Sequence, residues 1–343
     1  MNKKKKRVAI NGFGRIGRAI TKINVERNIF DLVMVNDINP DIDNLFYLLK
    51  YDSTYGVFNE DLKVIDSSIY INNKKIDFFS HSNIEDLNWN KHDIDIVIDS
   101  SGVESNTLKC KKIISEKKIK NAIITHSSDL SDKEIILGIN SEDDLEEYSC
   151  ISSSICDANA AAHVLSWLDD EYGIINGSLT TLHPWLSYQN LIDGSSISQS
   201  NPGIVWKDYA LGRSSVNNII PKKTTAMSAI ERILPKLKNK IISFSYRIPT
   251  GIVASADIFL NLRDDISIKD LEIFLKEKTK HSNLIYLNYE SLTAKDYEKS
   301  QFSAIIDMQW LECNNKSVKL VLWYDNEWGY SSRAVDLVQL LSK

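Results

Sequence analysis

Short apolar runs separated by segments of helical spacing organise the first half of the chain. Such runs are typical of strands buried on both faces of a parallel sheet. They lie at residues 7–11, 32–36, 94–102 and 122–125. The lysine-rich stretch at residues 108–120 alternates with apolar residues, as a surface helix does. This order of strands and helices predicts a doubly wound α/β domain over residues 1–153.

The pattern changes at about residue 154. A helix predicted over residues 157–171 ends at Gly173. Longer segments with alternating polar and apolar residues follow, at residues 177–182, 241–247, 251–262, 303–310 and 317–324. Antiparallel strands with one exposed face have this pattern. We therefore predict an α+β domain with a largely antiparallel sheet over residues 154–322. The final segment, 323–343, contains an amphipathic helix predicted over 331–341.

Composition removes several classes of protein. The chain has 343 residues, of which 43% are hydrophobic and 25% charged, so general disorder is excluded. A formal charge of −5 argues against a nucleic-acid partner. No apolar run reaches the roughly 18 residues that a membrane span needs. The basic start lacks the pattern of a signal peptide, and we therefore expect a cytoplasmic protein without a membrane partner.

A glycine-rich turn after the first apolar run predicts a dinucleotide site. Gly12, Gly14 and Gly17 form the pattern G-x-G-x-x-G between a strand and a helix, and Asp37 follows 20 residues after the last glycine. Such glycines allow a tight turn, close approach of the backbone to a pyrophosphate and close helix packing. A carboxylate at the Asp37 position binds ribose hydroxyls and repels a 2′-phosphate, which favours NAD over NADP. The alternatives are a plain turn and, for Asp37, a capping role.

One of the four cysteines stands at a reactive position. The cysteines are scattered without a C-x-x-C pair, so we predict no disulfide framework, no zinc site and no other metal site. Cys156 comes just before an alanine-rich helix, and a helix N-terminus is expected to lower the pKa of a thiol. His183 ends a β segment and could serve as the base of a Cys–His pair.

With these motifs the chain resembles the glyceraldehyde-3-phosphate dehydrogenase family over essentially its whole length. The segments that carry the resemblance stand in the family's order, at residues 10–18, 50–56, 152–159, 180–183, 218–221, 247–250 and 323–331. The resemblance implies a Rossmann NAD-binding domain, a catalytic domain and a last helix that returns to the NAD-binding domain. It also implies a homotetramer in which residues 189–213 reach a neighbouring subunit.

The resemblance also implies residue roles. Cys156 would be the nucleophile that forms a thiohemiacetal and then a thioester with an aldehyde, and His183 would be its base. The Asn159 side chain is a candidate for holding the oxyanion, although a helix-surface position is an equal alternative. We assign the NAD site to glycines and polar residues of several loops, namely Gly12, Gly14, Arg15, Ile16, Gly17, Asp37, Ser101, Thr125 and Asn326.

The departures from the family pattern lie where phosphate should bind. Ile155 and Asp157 replace the hydroxyl residues that flank the thiol, and Asp157 would repel an attacking phosphate by roughly 1–4 kcal/mol. Trp185 and Lys207 replace a tyrosine and an arginine of the usual pattern. The substrate-binding residues that remain are Thr224, Arg213 and Arg247.

We therefore hypothesise that hydride and thioester chemistry persist while the aldehyde, phosphorylated or not, the acyl acceptor or both have changed. Water is the simplest replacement acceptor. The alternatives are an ordinary phosphorylating glyceraldehyde-3-phosphate dehydrogenase and a non-catalytic NAD-binding relative. The direction of the reaction is open, because a reductase would use the same residues.

Overall fold

The structure is a computed structural model that describes residues 4–141 and 145–342. These residues form two compact units. One contains residues 4–135, 145–154 and 331–342, and the other contains residues 136–141 and 155–330. Within the described ranges, no helix combines the length and the apolarity that crossing a bilayer requires.

The first unit is built on a nine-stranded sheet. Its elements follow one another as β1 (Arg7–Asn11), α1 (Arg15–Arg27), β2 (Asp31–Asn36), α2 (Ile42–Lys50), β3 (Tyr51–Asp52), β4 (Gly56–Val57), β5 (Leu62–Ile65), β6 (Ser68–Ile71), β7 (Lys74–Phe79), β8 (Ile96–Asp99), α3 (Asn106–Ser115), β9 (Asn121–Ile124), β10 (Lys133–Glu134) and β11 (Cys150–Ser152). Among the described strands, the short β3 and β4 pair only with each other.

Strand β1 occupies the position that decides where this unit can bind a ligand. The strand order is β10-β11-β9-β8-β1-β2-β7-β6-β5, and β1 pairs in parallel with both β2 and β8. The chain therefore leaves β1 to one side and later returns to the other. In doubly wound sheets, ligands bind beyond the carboxyl end of such a strand. Val8, Ala9 and Ile10 are fully buried, which explains the apolar run.

The second unit contains an eight-stranded sheet. Its elements are α4 (Cys156–Tyr172), β12 (Ile174–Pro184), β13 (Ile220–Lys222), α5 (Ala226–Ile233), β14 (Ile241–Ile248), β15 (Ala254–Leu262), α6 (Ile268–Thr279), β16 (Ile285–Asn288), β17 (Ala304–Asp307), β18 (Glu312–Asn314), β19 (Ser317–Tyr324) and the start of α7 (Trp328–Leu340). The residues of α7 from Ser331 onward belong to the first unit.

Most pairings in the second sheet are antiparallel, and the exceptions are β12 with β14 and β16 with β17. Helix α4 packs against β15 and β19. Its alanines at 158, 160, 161 and 162 are fully buried in the core of this unit, where small side chains let the helix approach the sheet. The predicted fold class, a Rossmann domain plus an α+β domain, is confirmed.

Several predicted boundaries differ from the observed ones. The strand predicted at 303–310 ends at Asp307, whose side chain accepts a hydrogen bond from the Gln309 amide and starts a 3₁₀ turn. Similarly, the strand predicted at 94–102 is limited to β8. The division into domains 1–153, 154–322 and 323–343 stays a prediction.

Candidate active site

The structure brings Cys156 and His183 together. Cys156 is the first residue of α4, and His183 is the penultimate residue of β12. The distance from Cys156 Sγ to His183 Nε2 is 3.6 Å. The Nδ1–H group of His183 donates to the Pro184 carbonyl at 2.8 Å, so the neutral ring presents an unprotonated Nε2 to the sulfur. This arrangement allows the imidazole to accept the thiol proton.

The electrostatics of this pair differ from our expectation. Burial and the adjacent Asp157 carboxylate raise the pKa of the Cys156 thiol well above its usual range. The prediction that the helix N-terminus lowers this pKa is therefore wrong, because desolvation and a like charge outweigh a partial positive charge. Burial and the nearby Arg247 guanidinium lower the pKa of His183 to about 4. Near neutral pH the pair is thus a thiol beside a neutral imidazole.

Asp157 is the most connected polar residue of the site. Its side chain accepts a hydrogen bond from the Tyr324 hydroxyl at 2.7 Å and from the Cys156 thiol at 3.5 Å, both on Oδ1. The other oxygen, Oδ2, accepts from the hydroxyls of Thr224 at 3.4 Å and Thr181 at 3.5 Å. Asp157 is buried, with 6% of its surface exposed. The hydroxyl of Thr224, one of the predicted substrate-binding residues, therefore donates its hydrogen bond to this carboxylate.

Tyr324 and Thr181 did not emerge from the sequence as site residues. Tyr324 is 1% exposed and ends β19, and Thr181 lies in β12 two positions before His183. The signal for both was their place inside the family-like segments at 323–331 and 180–183. Their link to Asp157 depends on the sheet, which brings distant parts of the chain to one helix end.

The other two predicted substrate residues lie in different surroundings. Arg247 is buried in β14 beside His183 in the strand register, and its side chain donates to the Tyr188 hydroxyl at 3.2 Å. By contrast, Arg213 is exposed and forms an ion pair with Asp193 at 2.8 Å. The structure therefore places Arg247 next to His183, whereas Arg213 pairs with Asp193 at the surface.

Asn159 is buried on α4. It is 2% exposed, so the alternative of a helix-surface position is wrong. Its Nδ2 group donates to the Ile155 carbonyl at 3.0 Å, which fixes the amide near the first turn of α4. The oxyanion role of Asn159 stays a prediction.

In the first unit, the glycine-rich turn has the steric features that a pyrophosphate site needs. A Cβ atom at Gly12, where φ is +90°, would lie 2.6 Å from the backbone nitrogen of Ser101. At Gly17 a Cβ atom would lie 2.3 Å from the Gly12 carbonyl oxygen. Gly14 has open space around it and precedes the first residue of α1. These features fit close approach of a phosphate to the backbone and to a helix N-terminus.

Asp37 holds the same turn. One carboxylate oxygen accepts a hydrogen bond from the Phe13 amide at 2.6 Å, and the other accepts from the Asn39 amide at 2.9 Å. These are loop contacts and not a helix cap, since the N-cap residues of α1 and α2 are Gly14 and Asp41. They are compatible with ribose binding, because a carboxylate has about four acceptor positions and Asp37 is half-buried.

The remaining predicted cofactor residues have the following surroundings. Arg15 donates to Asp52 at 3.0 Å. Although burial opposes it, this guanidinium lowers the pKa of Asp52 to about 2. The hydroxyls of Ser101 and Thr125 both donate to Asp99, at its carboxylate and its carbonyl respectively. Ile16 is half-buried on α1.

Asn326, in the second unit, follows β19 and is 6% exposed. Its Oδ1 atom has no hydrogen-bond partner among the described residues. A buried amide oxygen of this kind is suited to accept a hydrogen bond from a ligand, because leaving it without a partner costs about 1–3 kcal/mol.

Two sequence comparisons bear on the class of this protein. The family profile described as "Glyceraldehyde 3-phosphate dehydrogenase, NAD binding domain" matches residues 6–107, and the profile for its "C-terminal domain" matches residues 155–326. A glyceraldehyde-3-phosphate dehydrogenase from Sclerotinia sclerotiorum is 32% identical over 340 residues, which cover 98% of this chain and 97% of the relative. A cytosolic one from Arabidopsis thaliana is 32% identical over the full length of both chains.

A chloroplastic relative from Arabidopsis thaliana is 33% identical over 98% of this chain and 78% of its own length. The Rossmann unit and these matches define an NAD-dependent oxidoreductase. The chain belongs to the glyceraldehyde-3-phosphate dehydrogenase family.

Proposed function

We propose that this chain oxidises an aldehyde with NAD through a covalent intermediate on Cys156 and passes the acyl group to water instead of inorganic phosphate. The observation that carries the first half of the proposal is the 3.6 Å contact between Cys156 Sγ and His183 Nε2. The second half depends on Asp157, whose carboxylate binds the hydroxyl of Thr224.

In the first step, Cys156 Sγ attacks the aldehyde carbon. The thiol proton moves to Nε2 of His183 as the S–C bond forms, because the high pKa of the thiol leaves little thiolate at neutral pH. The proton then passes from Nε2 to the former carbonyl oxygen, which gives a thiohemiacetal and leaves the imidazole neutral again. The low pKa of His183 keeps the ring neutral and ready to accept this proton.

In the second step, the thiohemiacetal becomes a thioester. Bound NAD would supply the acceptor for the hydride of the former carbonyl carbon. His183 Nε2 takes the hydroxyl proton as the hydride leaves, and the Cys156 amide and the Asn159 side chain are the donors that we assign to the negative oxygen. Water then attacks the thioester, which releases a carboxylic acid and returns the thiol. Overall, an aldehyde, NAD⁺ and water give an acid, NADH and a proton.

Asp157 supports water as the acceptor for an electrostatic reason. A phosphate beside the sulfur would need hydroxyl donors such as Thr224 and would meet a carboxylate instead. Two unit charges about 4 Å apart repel by roughly 1–4 kcal/mol between water-like and surface-like dielectric constants. Water carries no charge and can accept or donate hydrogen bonds here, so the carboxylate does not exclude it.

The test is an NADH-forming screen over phosphorylated and unphosphorylated aldehydes, with and without inorganic phosphate. We expect the same rate in both conditions and a carboxylic acid as the product. In Asp157→Thr, we expect inorganic phosphate to accelerate turnover by roughly tenfold, because the repulsion is removed. Asp170→Thr is the matched control, since this exposed carboxylate lies near the other end of α4.

A strict requirement of the unaltered protein for inorganic phosphate with glyceraldehyde-3-phosphate would replace this proposal by the ordinary phosphorylating activity. Absence of NADH formation across the screen, with intact NAD binding, would favour a non-catalytic relative.

We also propose that the chain assembles as a homotetramer in the cytoplasm. Exposed apolar side chains between residues 189 and 213 support an interface, namely Leu191, Ile192, Ile197, Ile204, Val205 and Tyr209. One Arabidopsis relative is named cytosolic, which supports the compartment. Sedimentation equilibrium measures the mass directly, and a monomer would contradict the assembly.

A further inference from the structure

Three side chains of the second unit, around the start of α4, offer metal-binding atoms to one point. Cys156 contributes Sγ, Asp157 a carboxylate oxygen and His183 Nε2, and these atoms all lie within 4.8 Å of one another. We propose that they form a zinc site that reversibly blocks the nucleophile. The spacing of the cysteines along the sequence predicted no metal site. In the structure, the ligands come from a helix start and a strand end.

The distances between the ligand atoms fit tetrahedral coordination. Zinc binds sulfur at about 2.3 Å, and nitrogen or oxygen at about 2.0–2.1 Å, so tetrahedral angles place Sγ about 3.5 Å from each of the other two ligands. The observed separations are 3.6 Å to His183 Nε2 and 3.5 Å to Asp157 Oδ1. Two of the three ligand separations therefore match tetrahedral coordination, and the third, between the Asp157 and His183 ligand atoms, lies within 4.8 Å.

Both partners of the thiol are already oriented as metal ligands usually are. A histidine that binds a metal through one nitrogen donates from the other to a carbonyl or carboxylate. His183 does this through its contact with Pro184 at 2.8 Å. The carboxylate of Asp157 is fixed by the hydroxyls of Tyr324 and Thr224. These contacts keep Nε2 and Oδ1 facing the sulfur.

Charge and ligand softness favour zinc over magnesium or calcium. A thiolate and an imidazole are ligands that zinc binds well, whereas magnesium and calcium prefer oxygen. The thiolate and the carboxylate together neutralise the two charges of the ion, so the occupied site beside Arg247 is neutral. Binding displaces the thiol proton of Cys156 into solution.

The consequence is a reversible inhibition at the sulfur. With its lone pairs engaged by the ion, Cys156 cannot attack a carbonyl, and His183 cannot accept a proton. Three protein ligands leave a fourth position for water, as in other open zinc sites, so a chelator can remove the ion. Asp157, which supplies the third ligand, is one of the positions at which this chain departs from the pattern of the family it resembles.

The experiment titrates the metal-free, full-length protein with Zn²⁺ by calorimetry and with Co²⁺ by absorption spectroscopy. We expect one ion per chain, proton release on binding and a thiolate-to-cobalt charge-transfer band. Asp157→Asn should weaken Zn²⁺ binding by at least about tenfold, a typical loss for a changed metal-site contact. Cys156→Ser should remove the band, and Cys313→Ser, which changes a half-buried thiol elsewhere in the second unit, should keep both properties.

Two results would overturn the zinc site, namely a cobalt band that persists in Cys156→Ser, or Zn²⁺ affinity in folded Asp157→Asn equal to that of the unaltered protein. A measurement on the unaltered protein alone covers the case in which Asp157→Asn fails to fold. Zn²⁺ should protect Cys156 of the unaltered protein from iodoacetamide, as read by peptide mass spectrometry, and equal labelling with and without Zn²⁺ would refute the site. None of these readouts needs turnover, so they are independent of the proposed function.

Discussion

The glycine-rich turn of the first unit and the start of α4 in the second unit form their sites in different ways. At the turn, backbone atoms set the geometry, since a Cβ atom at Gly12 or Gly17 would collide with main-chain atoms. At α4, the site consists of side chains that meet around Asp157 from separate elements. A backbone-defined site tolerates little change, whereas a side-chain cluster can change its chemistry through one residue.

The largest expected effect is on catalysis at the second site. His183→Asn should lower the rate of NADH formation by roughly 10²–10⁴-fold, because the thiol then has no proton acceptor at Nε2. The free energy of unfolding should change little, so that unfolding does not account for the loss of rate. His281→Asn, an exposed histidine of the same unit, is the matched control and should leave the rate unchanged. A small loss of rate in His183→Asn would show that the imidazole is not the proton acceptor for the thiol.

The second effect tests whether the first site is defined by its backbone. Gly17→Ala should reduce the free energy of unfolding by roughly 1–3 kcal/mol, the usual cost of forcing an added carbon into packed atoms. Its matched control is Gly14→Ala, where the added carbon meets open space. Urea denaturation measures both variants. Equal stability of the two would contradict the comparison.

The smallest effect concerns the charge beside the thiol. Asp157→Asn removes the carboxylate that, together with burial, raises the pKa of Cys156. The pKa should fall, so the thiolate fraction at a fixed pH should rise, and a shift of one unit gives about tenfold faster alkylation by iodoacetamide. The reaction rate is measured as a function of pH, with Asp170→Asn as the control. Slower alkylation in Asp157→Asn would show that the carboxylate activates the thiol instead.

The parts of the fold that could be predicted are those with strong local patterns. The apolar run of β1 has the same bounds in the sequence and in the structure. The hairpins from β5 to β7 were missed although their turns carry signals. Asp66 and Ser67, then Asn72 and Asn73, all have positive φ, as two-residue hairpin turns require. Helix α6 was also missed, although Ser267 caps it by accepting from the Asp270 amide.

The site could be predicted only in part because it depends on long-range contacts. Cys156 and His183 were found from neighbouring motifs, and their contact needed the structure. Tyr324 lies 167 residues from Asp157 along the chain, so no local pattern could join them. The pKa direction of Cys156 was wrong for the same reason. The helix start is visible in sequence, whereas the burial that opposes it is not.

The two hydrogen bonds of Asp37 have a consequence for changing the coenzyme of this protein by design. Replacing Asp37 by a small residue, the obvious way to admit a 2′-phosphate, would also leave the Phe13 amide without its acceptor and loosen the turn between β1 and α1. A redesign toward NADP therefore has to supply a neutral acceptor at the same place, such as the side-chain oxygen of asparagine. With the predicted ribose-binding role of Asp37, coenzyme preference and loop shape become a single engineering variable.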